Sequence, residues 1–95
     1  MFAVAGTWTM DASMRERQAA MLPMLIDSVR QNPGFVRGYW TSDVEDPSVS
    51  VTFIVFEELE QARSFCQAVR ANAPAQAESG VMRDGLRIVE ISGEA

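Results

Sequence analysis

The chain contains no histidine and no lysine; all eight of its positive charges are arginines. Imidazole metal ligands, a proximal-histidine haem, a histidine general base and a lysine Schiff base are therefore closed to it. Its single cysteine, Cys66, excludes an internal disulfide. With one thiol and scattered carboxylates as the only other metal donors, no metal, haem or flavin cofactor is expected. Positive charge is also short, since 13 acidic residues against eight arginines leave a net charge of −5. That balance disfavours nucleic acid and anionic membrane partners, whose phosphates require a basic face. No apolar run approaches the roughly 20 residues that span a bilayer. No charged-then-apolar leader follows Met1, and the expected location is the cytoplasm. For proton or electron chemistry there remain Asp, Glu, Tyr39, Cys66 and whatever a ligand brings.

The 95 residues form a single domain, 1–95, without repeats or low-complexity segments. Phe2, Val4, Trp8 and Met10 alternate with Ala3, Ala5, Thr7 and Thr9, which predicts a first strand. Ser13 followed by Glu16 has capping-box spacing, and Leu22, Leu25, Ile26 and Val29 then fall on one helical face, extended by Met14, Gln18 and Met21. Pro23 lies inside this pattern and predicts a kink or a restart of the helix. Pro33-Gly34-Phe35 ends the helix and opens a second strand, Phe35 to about Thr41. An acidic connection, Ser42 to Ser48, leads to a third strand in which Val49, Val51, Phe53 and Val55 alternate with Ser50, Thr52, Ile54 and Phe56. From Glu57 the period becomes helical, with Leu59, Ala62, Phe65, Cys66 and Val69 on the apolar stripe. Asn72-Ala73-Pro74 ends that helix, a loop is expected to Asp84, and a fourth strand covers Leu86 to about Ile91. The order β-α-β-β-α-β predicts an α+β, ferredoxin-like domain with a four-stranded antiparallel sheet.

Both faces of that sheet read as apolar. In the second strand Phe35 and Tyr39 alternate with Val36 and Trp40, and in the fourth Leu86 and Ile88 alternate with Val89 and Ile91. Two helices cover one face only. The other would expose an apolar patch of several hundred Å², which soluble monomers rarely carry. A second copy packed across a two-fold axis is the simplest cover, so a homodimer is expected.

The segments Asn32 to Tyr39 and Thr52 to Ala62, with the Tyr39-Trp40 strand and Phe53-Ile54-Val55-Phe56-Glu57, resemble the antibiotic biosynthesis monooxygenase-like branch of the dimeric α+β barrels over nearly the whole chain. The resemblance implies a dimeric α+β barrel whose sheets back onto one another, with a ligand cavity between sheet and helices. It also implies cofactor-independent oxygenation of small phenol- or quinol-like aromatics, in which the substrate's own carbanion activates oxygen. Trp8, Tyr39, Trp40 and the methionines of the first helix would wall the cavity, Arg37 would hold an anionic oxygen, and Thr52 and Met21 would be further wall residues. Many members carry a histidine on the second helix, where Phe65 or Cys66 stands here, and haem oxygenation is thereby excluded.

Simple burial also accounts for Tyr39 and Trp40, and Arg37 and Arg87 also suit a strand edge. Cys66 on the apolar stripe reads as a small buried hydrophobe. The RNA-recognition motif shares the element order, but Val49 and Val51 stand where it needs a basic and a stacking aromatic residue. An amino-acid-sensing domain of the ACT type needs a glycine-containing turn after the first strand, and Met10-Asp11-Ala12-Ser13 offers none. Two functions stay open: a cofactor-independent oxygenase, and a non-catalytic homodimer that binds a small apolar molecule or only associates. No catalytic residue is assigned.

Overall fold

Strand alternation and helix periodicity translate almost directly into structure. The computed structural model, which describes residues 1–95, orders its elements as β1 (Phe2–Met10), α1 (Arg15–Arg30), β2 (Phe35–Ser42), β3 (Val49–Phe56), α2 (Leu59–Ala71), α3 (Ala73–Glu78) and β4 (Val81–Glu90). The strands form one antiparallel sheet of order β2-β3-β1-β4. β1 and β3 pair without interruption from Phe2 opposite Phe56 to Thr9 opposite Val49. This is the ferredoxin-like β-α-β-β-α-β arrangement, with α3 added before the last strand.

The core gathers at one end of the sheet. Val4, Ile54 and Phe56 from the strands meet Val29 of α1 and Ala62, Phe65 and Cys66 of α2, all buried. Phe56 is fully buried; its ring meets Phe35 edge-on at 6.4 Å and Phe65 at 5.1 Å. Cys66 is a buried free thiol, in keeping with a packing role. α2 sits on this core with a reciprocal cap: Gln61 Oε1 accepts from the Glu58 backbone N–H at 3.0 Å while the Glu58 side chain accepts from the N–H of Gln61. Gly34 has φ +79°, and a Cβ there would run into the Gln61 amide, so the turn into β2 and the cap of α2 both require glycine.

Several local expectations are corrected. Ser13 does not cap α1. Asp11 Oδ1 instead accepts from the Ser13 N–H at 2.9 Å and its hydroxyl at 2.7 Å, closing a 3-10 turn over Ala12–Met14. This donor pair stabilises the Asp11 carboxylate and lowers its pKa; Ser48 does the same for Asp46. Pro23 neither splits nor restarts α1, which runs unbroken from Arg15 to Arg30. The expected loop before the last strand contains α3, with Pro74 in its first turn, and β4 begins earlier, at Val81. In β2 the register shifts between Phe35 and Arg37, leaving Val36 without a partner in β3. That bulge places Phe35 on the same side as Trp40, against the core, rather than with Tyr39.

Truncating Phe56 to alanine removes the side chain on which both helices converge. It is expected to lower stability by about 3–5 kcal/mol, read as a shifted midpoint in urea denaturation. Gly34→Ala, which combines a left-handed φ with a steric clash, should lose about 1–3 kcal/mol or more in the same assay.

Candidate functional site

Register divides the sequence-predicted residues between the two faces of the sheet. Trp40 pairs with Thr52, and Thr52 with Gly6, so these three lie in one row across β2, β3 and β1. Trp8 is two residues beyond Gly6 and shares its face. This is the helix side: Trp40 packs against the core and the Trp8 Nε1–H donates to Thr52 Oγ1 at 3.0 Å. Arg37 and Tyr39 pair with Val55 and Phe53 on the opposite side. Tyr39 is 55% exposed there, and Arg37 Nη1 lies 3.3 Å from Glu94 Oε1 of the C-terminal tail. A single cavity between sheet and helices lined by all six residues is therefore not what the chain builds. Trp8, Trp40 and Thr52 come together beneath the helices, Met21 belongs to α1 above them, and Arg37 and Tyr39 face away.

Two glycines that sequence reasoning passed over shape the floor. A Cβ at Gly6 would sit 2.7 Å from Trp8 Nε1 and 2.8 Å from Thr52 Oγ1, and a Cβ at Gly38 would sit 3.0 Å from Trp40 Cζ3 and 2.9 Å from Ile54 Cδ1. Each indole thus folds back over the glycine two residues before it on the same face. The signal was present as a repeated spacing, Gly6-Thr7-Trp8 and Gly38-Tyr39-Trp40. Period two puts Gly and Trp on one side of a strand, and the missing side chain lets a large ring lie flat.

The roof is α1, and it does not close. Leu22 and Leu25 share the apolar stripe with Val29, yet remain 37% and 47% exposed, while Val29 is the one buried residue of the helix. Its start is held to the turn before β4. Gln18 Nε2 donates to the carbonyls of Ser79 at 3.0 Å and Asp11 at 3.1 Å, and the buried Ser79 donates its hydroxyl to the Met21 sulfur at 3.3 Å. Gly80, with φ +71°, forms that turn. α1 is therefore fixed at both ends, by Gln18 and by Val29, with exposed Leu22, Met24 and Leu25 between. Trp8 beneath is buried and Thr52 and Trp40 are half-buried, so the floor opens toward β2. The candidate cleft is the region between this row of two indoles and one hydroxyl and the exposed aliphatic and thioether groups of α1.

Two surface depressions lie elsewhere. One, of about 470 Å³, runs along Ala12 to Arg17; the other, of about 170 Å³, is lined by Asn32, Pro33, Glu60, Gln61 and Ser64. Of the residues expected to wall a cavity, only Met14 borders either, the first. No three Cys, Asp or Glu side chains converge as metal ligands would, and no helix is long and apolar enough to cross a membrane. The two lowered carboxyl pKa values belong to exposed turns outside the cleft.

On the helix-free side Tyr39, Val49, Val51, Phe53 and Met82 are all at least 36% exposed. The tail after Glu90 crosses from the β4 edge back to β2, where Glu94 meets Arg37. Ala3 and Val55, at that end of the face, are buried.

No protein-family model matches the chain, and no curated protein matches it at significant similarity. Solved structures do. A candidate antibiotic biosynthesis monooxygenase from Deinococcus radiodurans superposes with TM-score 0.75 at 19% identity, covering 100% of this chain and 95% of its own. A second from Nitrosomonas europaea gives TM-score 0.70 at 14% identity, with 98% of each chain covered. The monooxygenase of ActVA-Orf6 from Streptomyces coelicolor, solved with nanaomycin D, gives 0.67 at 18% identity, covering 99% of this chain and 89% of its own. The chain has the fold of antibiotic biosynthesis monooxygenase-like proteins.

Replacing Gly6 with alanine forces a methyl group between Trp8 and Thr52. Stability should fall by about 1–3 kcal/mol, and the near-ultraviolet dichroism of the tryptophans should change, because the indole loses its seat.

Proposed function

We propose that this protein is a homodimeric, monooxygenase-like protein that takes a small flat phenol- or quinol-like molecule between α1 and the sheet and uses no cofactor. The observation that carries the reading is the pair of indoles seated on Gly6 and Gly38 on the helix side of the sheet, with apolar residues of α1 left exposed. Flat aromatic surfaces bind aromatic ligands by offset stacking, and thioether and aliphatic side chains above suit the other ring face. The likeness to a monooxygenase solved with nanaomycin D supports the class of reaction.

The proposed chemistry makes little demand on the protein. A phenolate with a free ring carbon donates electrons to dioxygen; a C–O bond forms at that carbon and the O–O bond breaks. One oxygen stays as a quinone carbonyl, and the other leaves as water with the ring and phenol protons. Electrons balance without an external reductant. The chain's part is to stack the ring, hold its oxygen and exclude water. Trp8, Trp40, Thr52 and Met21 offer no titratable group near neutral pH, so the substrate's ionisation is its own. The same observation favours a second reading, a non-catalytic homodimer that binds such molecules without converting them. Oxygen uptake matched one-to-one by phenol consumption supports the first; saturable binding without consumption supports the second.

Assembly follows from the helix-free face. Only 12 of 95 residues are buried in the single chain, and the exposed apolar groups on β2, β3 and β4 have no cover within it. Light scattering should give twice the 10.5 kDa of one chain, with an interface of roughly 1,200 Å² or more in total. Val51→Asp, at the middle of the patch, should yield monomers; a wild-type monomer at micromolar concentration rules the assembly out.

Tryptophan fluorescence should be quenched saturably by polycyclic phenols. With no titratable protein group in the cleft, the pH dependence of binding should follow the ionisation of the phenol added, shifting when a phenol of different pKa is used. A midpoint common to phenols of different acidity would show that a protein group controls binding instead.

A further inference from the structure

We propose that residues 91–95 are a strap, latched by Arg37 and Glu94, that competes with a second copy of the chain for one end of the helix-free face. This rests on that face being the homodimer interface. Register places Arg37, Val55, Ala3 and Val89 in one row across the face. Ala3 is wholly buried and Val55 nearly so, although both point away from the helices. In the next row Tyr39, Phe53 and Arg87 are exposed around half-buried Ala5. What distinguishes the rows is the segment after β4. The Ile91 N–H donates to the Met1 carbonyl at 3.0 Å, beside β1, and Glu94 meets Arg37 on β2. β1 and β2 stand two strand spacings apart, roughly 10 Å, which is about the reach of the three extended steps from Ile91 to Glu94. The segment therefore runs nearly straight over β3, across the buried row.

The strap is lightly held. No backbone–backbone hydrogen bond reaches residues 92–95, a side chain at Gly93 would meet nothing, and both members of the Arg37–Glu94 pair are solvent-exposed. Exposed ion pairs contribute little, so the strap opens readily. Closed, it lies where a partner's side chains would have to interdigitate with Ala3, Val55 and Val89, since facing sheets stack only about 10 Å apart. It also presents a polar edge, Ser92 and the ion pair, whose burial would cost desolvation. Open, it uncovers an apolar row that continues the exposed patch of Phe53 and Val51. A second copy gains that row only by displacing the strap.

Strap and assembly are read separately. In chains held monomeric by Val51→Asp, a thiol placed under the strap by Val55→Cys should react slowly with iodoacetamide, while buried Cys66 reports global unfolding in the same sample. Glu94→Gln should speed that reaction roughly 1.5- to 5-fold, the worth of an exposed ion pair, and removal of residues 91–95 should speed it further. Ala3→Cys gives the same readout if Val55→Cys folds poorly. In otherwise wild-type chains both straps of a dimer must open. Glu94→Gln should therefore lower the dimer dissociation constant, measured by sedimentation, by about the square of that factor, roughly 2- to 25-fold. Glu78→Gln, which removes the same charge from α3, should not. Exchanging the pair, Arg37→Glu with Glu94→Arg, keeps the net charge and should restore both wild-type values. Equal reactivity of the thiol with and without residues 91–95 overturns the strap. A dimer no tighter without those residues, or equal tightening by Glu78→Gln, overturns the competition and leaves the homodimer standing. Wild-type and shortened chains that both remain monomeric overturn the homodimer reading and the competition with it.

Discussion

Phe56 sets the geometry of everything above the sheet. It closes β3 opposite Phe2 and Phe35, and its ring is flanked by Phe35 and Phe65. The chain leaves β3 at that point directly into α2, and α1 brings Val29 to the same place. Two helices and three strands are thus pinned at one end of the sheet. Interiors pack at crystal-like density, so the pinned end admits nothing else. At the other end α1 is held only by the amide of Gln18 and the Ser79–Met21 contact, both made to the turn before β4. Between these anchors the helix, which lies on the face of the sheet that carries the two indoles, keeps Leu22, Met24 and Leu25 exposed.

The two faces of the sheet have different work because of a single unpaired residue. Without the bulge at Val36, Phe35 and Tyr39 would share a face and the core would lose an edge-on aromatic contact. With it, Phe35, Gly38 and Trp40 turn to the helices, and Arg37 and Tyr39 turn to the opposite side. A second register shift, opposite Thr7 and Trp8, leaves Asp84 extra in β4, where it accepts a hydrogen bond from Thr9 at 2.6 Å. Bulges twist the edge strands and re-aim their side chains. Here they divide aromatic residues between a floor for the cleft and an apolar face without intrachain cover.

Element order, the antiparallel sheet and the apolar second face were legible because period-two alternation is long in β1 and β3, which pair with each other without a break. The cleft was legible only in part. The family resemblance suggested Trp8, Trp40, Thr52 and Met21, of which the strand residues share the helix side, whereas parity grouped Arg37 with Tyr39 correctly but could not say which face either occupied, since a bulge shifts every side chain after it. α1 misled for another reason. Its apolar stripe predicted one buried face, yet burial depends on what lies opposite, and of that stripe Leu22 and Leu25 remain exposed while Val29 alone is buried.

The sparse chemistry of the cleft bears on what such a protein has to supply. Trp8, Trp40, Thr52 and Met21 carry neither an acid nor a base, and Tyr39 faces the other side of the sheet. The cleft can still discriminate. A stacking floor distinguishes flat from bulky molecules by shape. Glycine under each indole is what makes that floor possible, since a methyl at Gly6 would separate Trp8 from Thr52 and one at Gly38 would lift Trp40 off the sheet. Selectivity in this fold is therefore written as much in two missing side chains as in the residues that touch the ligand.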